Sequence, residues 1–135
     1  MESSAIAAAF ARALDHDDYA AAGELLADEC EYHQGSGEVV RGREEVLTPY
    51  RETSEKGKRL FDAVGYRSEV EASQGSTATI LFIDTLRRGE HHHEFRCRQT
   101  VEVDDRGLIV CIHHHELEGQ REALRAFFAR AGVVW

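Results

Sequence analysis

Residues 62–117 read DAVGYRSEVEASQGSTATILFIDTLRRGEHHHEFRCRQTVEVDDRGLIVCIHHHEL, and this stretch decides the fold. Its hydrophobic period is two, the signature of strands. Val64, Tyr66, Ser68, Val70 and Ala72 point one way, and Arg67, Glu69 and Glu71 the other. Gln74-Gly75-Ser76 is a turn, and Ala78 to Leu86 is apolar on both faces. A second turn at Arg87-Arg88-Gly89-Glu90 leads to a strand in which Phe95, Cys97, Gln99, Val101 and Val103 alternate with Arg96, Arg98, Thr100 and Glu102. The turn Asp104-Asp105-Arg106-Gly107 precedes a last strand from Leu108 to about Leu117. The expected unit is a meander of long antiparallel strands.

Working outward, helices flank the meander. Ser3 or Ser4 can cap a first helix carrying Ile6, Phe10 and Leu14 on one stripe. Asp17 or Asp18 caps a second, which runs through Leu25 and Leu26 to about Ala27. Cys30 to Gln34 reads as a short strand, Gly35-Ser36-Gly37 as a turn, and a third helical stretch starts at Arg43. Pro49, the single proline, follows Thr48 and predicts a break or kink there. A final helix spans about Gly119 to Ala131, with Leu124, Phe127 and Phe128 on its apolar side. The 135 residues fit one domain, 1–135, with no repeat or linker.

The order of elements, and the stretches AFARALDHDDY, ELLADECEY, GSGEVVRGREEV, RQTVEVDDRGLIV and ELEGQREALRAFF, resemble the SnoaL-like branch of the nuclear transport factor 2-like superfamily. The resemblance implies an α+β fold: a cone-shaped, curved antiparallel sheet, with N-terminal helices closing a pocket and a helix at the C-terminus. That superfamily includes isomerases, epoxide hydrolases, polyketide cyclases, dehydratases and non-catalytic binding modules, so fold alone does not fix function. Ketosteroid isomerases need a base on the strand after helix two, a tyrosine in helix one and an acid on a late strand. Those positions read Gln34, Phe10 and Gln99, so that particular activity is not expected.

The formal net charge is −9, which disfavours nucleic acid and anionic membrane surfaces as partners. Cys30, Cys97 and Cys111 form no CxxC pair and read as reduced core cysteines of a cytoplasmic protein. The N-terminal MESSAIAAAF lacks a basic n-region and reads as no signal peptide, and no apolar run is long enough to span a membrane.

Eight histidines include two internal triplets, His91-His92-His93 and His113-His114-His115. A hairpin closing around Arg88-Gly89 would set Asp84 opposite His93, and one closing around Asp104 to Gly107 would set Cys97 opposite His114 and Phe95 opposite Glu116. The concave face would then carry Asp84, His93, His114, Glu116, Cys97 and Gln99, joined by Tyr32, Gln34 and Tyr66. An aspartate beside a histidine in an apolar cavity tunes the imidazole for proton transfer. His93 and Asp84 are therefore the expected catalytic pair, or else a buried structural pair. Tyr32, Gln34, Tyr66, Cys97, Gln99, His114 and Glu116 are the expected ligand contacts.

A zinc site needs three ligands or more. This register puts His91/His93 and His113/His115 on opposite faces, so no metal ligand set is assigned and no cofactor is expected; a one-residue slip would gather four histidines. The expected function is binding of a small hydrophobic or amphipathic molecule, with lyase, isomerase or cyclase chemistry by His/Asp acid–base catalysis. The alternative is a non-catalytic ligand-binding or dimerisation module. Leu81, Ile83, Ile109 and Cys111, if left exposed, would form a patch that argues for a homodimer.

Overall fold

The computed structural model describes residues 2–135. Its elements run α1 (Ser3–Asp15), α2 (Tyr19–Glu24), β1 (Leu26–His33), β2 (Val39–Arg41), α3 (Arg43–Leu60), β3 (Ala63–Gln74), β4 (Thr77–Arg88), β5 (His91–Val103), β6 (Ile109–Glu116) and α4 (Gln120–Ala131). The six strands form one sheet in the order β2-β1-β6-β5-β4-β3. The expected antiparallel meander is β3 to β6. Two pairings add to it: β1 lies parallel to β6, so the sheet is mixed, and the short β2, not expected from sequence, lies antiparallel to β1.

The helices follow their apolar stripes. Ala7, Phe10, Ala11 and Leu14 are buried at helical spacing, and α1 lies on β3 and β4. Ser3 does not cap this helix. It lies inside it, and its hydroxyl donates to the Gly75 carbonyl at 3.0 Å, pinning the helix start to the β3–β4 turn. Asp18 is the cap of α2, accepting from the Ala21 amide. That helix ends at Glu24, earlier than its composition suggested, because Leu26 and Ala27 enter β1 and are fully buried there. Nor does Pro49 end a helix: α3 runs through it. Val46, Leu47, Ser54 and Gly57 are buried along one face, and this packing outweighs the hydrogen bond Pro49 cannot donate.

Both hairpin registers differ from expectation by two residues. Arg88 pairs with His91 around Gly89-Glu90, where Gly89 takes a φ of +59°, so Asp84 faces Phe95 and His93 faces Leu86. In the next hairpin the loop is one residue longer, with Val103 opposite Ile109, and an irregularity beside Glu102 adds another. Cys97 therefore faces Glu116, and Gln99 faces His114. A shift of two preserves the side-chain face. The concave set thus survives while its partners change.

Two apolar clusters fill the concave side. One lies under α1, α2 and α3 around Phe10, Leu26, Val46, Ile80, Val101 and Ile112. The other lies under α4 around Phe61, Leu124, Phe127 and Val133. The convex side is covered by charge. Leu81 has Arg98 and Glu69 as cross-strand neighbours, and Ile83 has Arg96 and Arg67. Arg98 pairs with Glu71 at 2.5 Å, and Glu94 accepts from Arg67 at 3.1 Å and Arg96 at 2.8 Å. Long aliphatic stems thereby shield the apolar residues beneath. Leu81 and Ile83 are each 5% exposed and Ile109 is fully buried within one chain. Of the patch expected to drive pairing of two copies, only Cys111 remains partly exposed among the described residues.

Candidate functional site

The site lies on the seam between the two clusters. Phe82 belongs to the edge of the first, Leu86 and Phe95 to the edge of the second, and Asp84 stands between them on β4. Asp84 makes no hydrogen bond or ion pair among the described residues. Burial first, and the Asp15 carboxylate second, push its carboxyl up to about 7. Asp15, at the C-terminal end of α1, accepts from the Ser68 hydroxyl at 2.6 Å and is itself pushed up by burial. Of the two carboxyls, Asp84 is the one that keeps its proton into the neutral range. Asp84, Phe82, Tyr50 and Tyr66 all remain partly accessible to solvent, although their side chains belong to the inner face.

Tyr66 sits opposite Asp84 on β3. Its hydroxyl is 2.9 Å from Ser54 Oγ, and Ser54 spends its own proton on Asp17 Oδ1 at 2.8 Å, so Tyr66 is the donor. Asp17 also accepts from Tyr19 and pairs with Lys58. These contacts, with Lys58 the strongest, hold its carboxyl below the usual range against the opposing effect of burial.

The second polar group is centred on Gln99, only 3% exposed. Its Oε1 accepts from the Tyr50 hydroxyl at 2.6 Å, and its Nε2 donates to Tyr32 Oη and to His114 Nδ1, each at 3.1 Å. An amide nitrogen only donates, so Nδ1 of His114 accepts and the neutral ring carries its proton on Nε2. Nε2 faces Glu116 Oε1 at 3.8 Å, and that oxygen accepts from Arg121 at 2.6 Å. Burial pushes His114 below its ordinary value, against the pull of Glu116. Tyr32 and Tyr50 stack at 5.2 Å, and burial raises the Tyr32 phenol to about 12. The Gln99 amide engages both tyrosine hydroxyls and His114 at once, which makes the network a rigid floor.

Of the expected residues, Asp84, Tyr66, Cys97, Gln99, Tyr32, His114 and Glu116 do share the concave face, Glu116 at its exposed rim. Cys97 lies between Phe82 and Glu116, and burial raises its thiol to about 12, so it stays protonated. His93 shares that face too, under α4, but it forms no pair with Asp84. It stacks on Phe127 at 5.0 Å, its buried Nε2 has no partner, and burial together with Arg130 pushes it down. Gln34 lies just past β1, where its backbone makes the turn hydrogen bonds to Glu38 and Gly37. Its neighbour Gly35 closes on His114: a Cβ there would stand 2.9 Å from His114 Cδ2.

The residues missed from sequence come from the helices and the turn between α1 and α2. Asp15, Asp17, Tyr50 and Ser54 reach the seam from α1, α3 and the α1–α2 turn. The one sequence signal was the acidic run after Leu14, read there only for a helix cap at Asp17 or Asp18. A shallow hollow of about 480 Å³ runs along the outer side of α1 among Ala5, Ala8, Ala9 and Arg12, away from this chemistry.

No family model matches the sequence, and none of the curated proteins compared is similar to it. Solved structures do match along nearly the whole chain. An LEH-like epoxide hydrolase from M. tuberculosis has 21% identity and a TM-score of 0.62, covering 95% of this chain and 96% of that one. A candidate polyketide cyclase from Xanthomonas campestris pv. campestris has 12% identity and a TM-score of 0.67, covering 96% of each. A candidate ketosteroid isomerase from Kribbella flavida has 21% identity and a TM-score of 0.63, covering 90% of this chain and 86% of that one. The chain therefore shares the fold of these structures, an α+β arrangement of a curved sheet with N-terminal helices and a C-terminal helix, as the resemblance implied.

Proposed function

We propose that the seam holding Asp84 is a binding crevice for a small hydrophobic or amphipathic molecule, and that Asp84 moves a proton there. The observation that carries this reading is an unpartnered, partly accessible carboxyl pushed up to about 7 between two apolar clusters. Such a group exchanges its proton near neutral pH, as an acid–base catalyst must. Phe82, Phe95 and Cys97 supply an apolar wall, and the engaged side chains of Tyr66, Tyr50 and Gln99 a fixed floor beside it. The names of the structural neighbours point to enzymes acting on small organic molecules, which agrees with a lyase, isomerase or cyclase reaction needing no cofactor. His93 leaves the expected pair and becomes part of the apolar wall under α4. With Gln34 and Phe10 offering no base and no acid, ketosteroid isomerisation itself is not part of the proposal.

The experiment is carbon-bound proton exchange. A panel of small ketones, enones and epoxides is incubated with the protein in D2O and followed by NMR. Deuterium incorporation or turnover is expected for at least one compound and is lost in Asp84→Asn, while that compound still shifts the Phe82 and Tyr66 resonances. A binder that is turned over equally by Asp84→Asn would remove the catalytic half and leave the alternative, a ligand-binding module. No binder at the seam would remove both. Three unpaired cysteines accord with a cytoplasmic setting. A homodimer also remains part of this reading, on altered ground: with the apolar patch covered, two copies would meet through the charged convex face.

A further inference from the structure

The convex face holds a second constellation, independent of the crevice. β1 and β6 run parallel with Glu31 beside Cys111 and His33 beside His113. Residues two apart on a strand share a face, and adjacent strands lie about 4.8 Å apart. The pairing therefore sets a carboxylate, a thiol and two imidazoles at the corners of one small block. The side chains converge. Ligand atoms of His33, Cys111 and His113 all lie within 4.8 Å of one another. Cys111 Sγ is 3.2 Å from His113 Nε2, and the two imidazoles stack at 4.4 Å. Glu31 Oε1 stands 3.2 Å from His33 Nε2, while its other oxygen is 3.7 Å from Arg41.

We infer that His33, Cys111 and His113 form a binding site for a divalent transition metal, zinc in the first place. A tetrahedral zinc with sulfur at about 2.3 Å and nitrogen at about 2.0 Å holds its S and N ligands about 3.5 Å apart, close to the spacing found here. One thiolate and two imidazoles are a donor set that suits zinc, and hard cations such as magnesium would reject it. Glu31 completes the site, as fourth ligand or as the carboxylate that orients His33. With Glu31 and a thiolate, the block carries two negative charges, which match the charge of the ion. On binding, the Cys111 S–H bond breaks, sulfur keeps the electron pair for the metal, and the proton leaves to solvent, so affinity rises with pH. All three ligands are partly exposed, which gives the ion a path in. Of the two histidine triplets only His113 takes part. His91 and His92 are exposed beside the β4–β5 turn, and His115 is engaged with Thr100 at 2.9 Å.

The test uses the full chain without a polyhistidine tag, stripped with chelator and titrated with Co2+ as an optical probe. One equivalent is expected to bind, giving a thiolate-to-cobalt charge-transfer band and the visible spectrum of a four-coordinate ion, both erased by Zn2+. Cys111→Ser should abolish the charge-transfer band, and His33→Ala or His113→Ala should weaken binding by more than about tenfold. The double variant His91→Ala/His92→Ala should behave as wild type. A separate readout needs no variant: one equivalent of Zn2+ should slow alkylation of Cys111 in the wild-type chain, detected by peptide mass. Absence of stoichiometric binding, an unchanged alkylation rate, or a charge-transfer band that survives Cys111→Ser would overturn the site.

Discussion

Asp84 is the residue whose chemistry and cost are most closely linked. Burial first, and Asp15 second, push its folded carboxyl up to about 7 from an ordinary 3.8. Below pH 3.8 both folded and unfolded chains hold the proton, and the group is neutral in stability. As pH rises from 3.8 to 7 the unfolded chain ionises first, so stability falls, and above 7 the loss is complete. Asp84→Asn should therefore be more stable than wild type at pH 8, by about 1–3 kcal/mol once solvent access is allowed for. The gain should vanish near pH 4. Denaturant unfolding at the two pH values checks this, and an equal gain at both would mean that the carboxyl is not buried as described. His93 and His114 act with the opposite sign. Their folded values are lowered from 6.5, so their contribution is whole above 6.5 and is lost as pH falls below it.

At the scale of elements, α4 and α3 make separable predictions. α4 roofs the second apolar cluster through Leu124 and Phe127, and Phe127 is fully buried against Phe61 and His93. Phe127→Ala should cost about 3–5 kcal/mol. It should also admit water to His93 Nε2 and raise that histidine toward its ordinary value, which NMR titration reads directly. A large stability loss with no movement of His93 would place the ring elsewhere. In α3, Pro49 sits in the seventh position and leaves the Glu45 carbonyl without its helical donor, while Thr48 Oγ1 bonds the Glu44 carbonyl at 2.8 Å. Pro49→Ala restores that donor, and the expected gain is about 1–2 kcal/mol, reduced by the extra freedom of the unfolded chain. A fall in melting temperature would show instead that the proline shapes how Tyr50 and Ser54 reach the seam.

The whole molecule is a charged shell around a divided core. Arg67, Arg96 and Arg98 hold Glu94 and Glu71 over Leu81 and Ile83, so the convex face offers a partner paired charges rather than apolar area. An interface of that kind weakens as salt screens it. If two copies pair through it, sedimentation should show a species of twice 15.2 kDa in low salt that dissociates as salt rises. A 15.2 kDa species at micromolar concentration in low salt would end the dimer proposal.

What the sequence determined by itself was periodicity. The alternation from Phe95 to Val103 fixed which side chains look inward, and it holds: Cys97, Gln99, Val101 and Val103 are buried while Glu102 is exposed. It also fixed the order of elements and the inner set around Asp84, because a hairpin misplaced by two residues still returns the same face. Tertiary structure decided who stands beside whom. A single residue in the position of a tight turn moves a partner by two, which separated Asp84 from His93, and a longer loop with an irregularity beside Glu102 brought Gln99 to His114. It also decided every contact between segments distant along the chain. Asp15 and Ser54 reach the seam across helix–sheet packing, and His33 meets Cys111 and His113 only through the parallel pairing of β1 with β6. Local pattern carries no record of such pairings, since it is set by which face each residue shows and not by which strand arrives next to it.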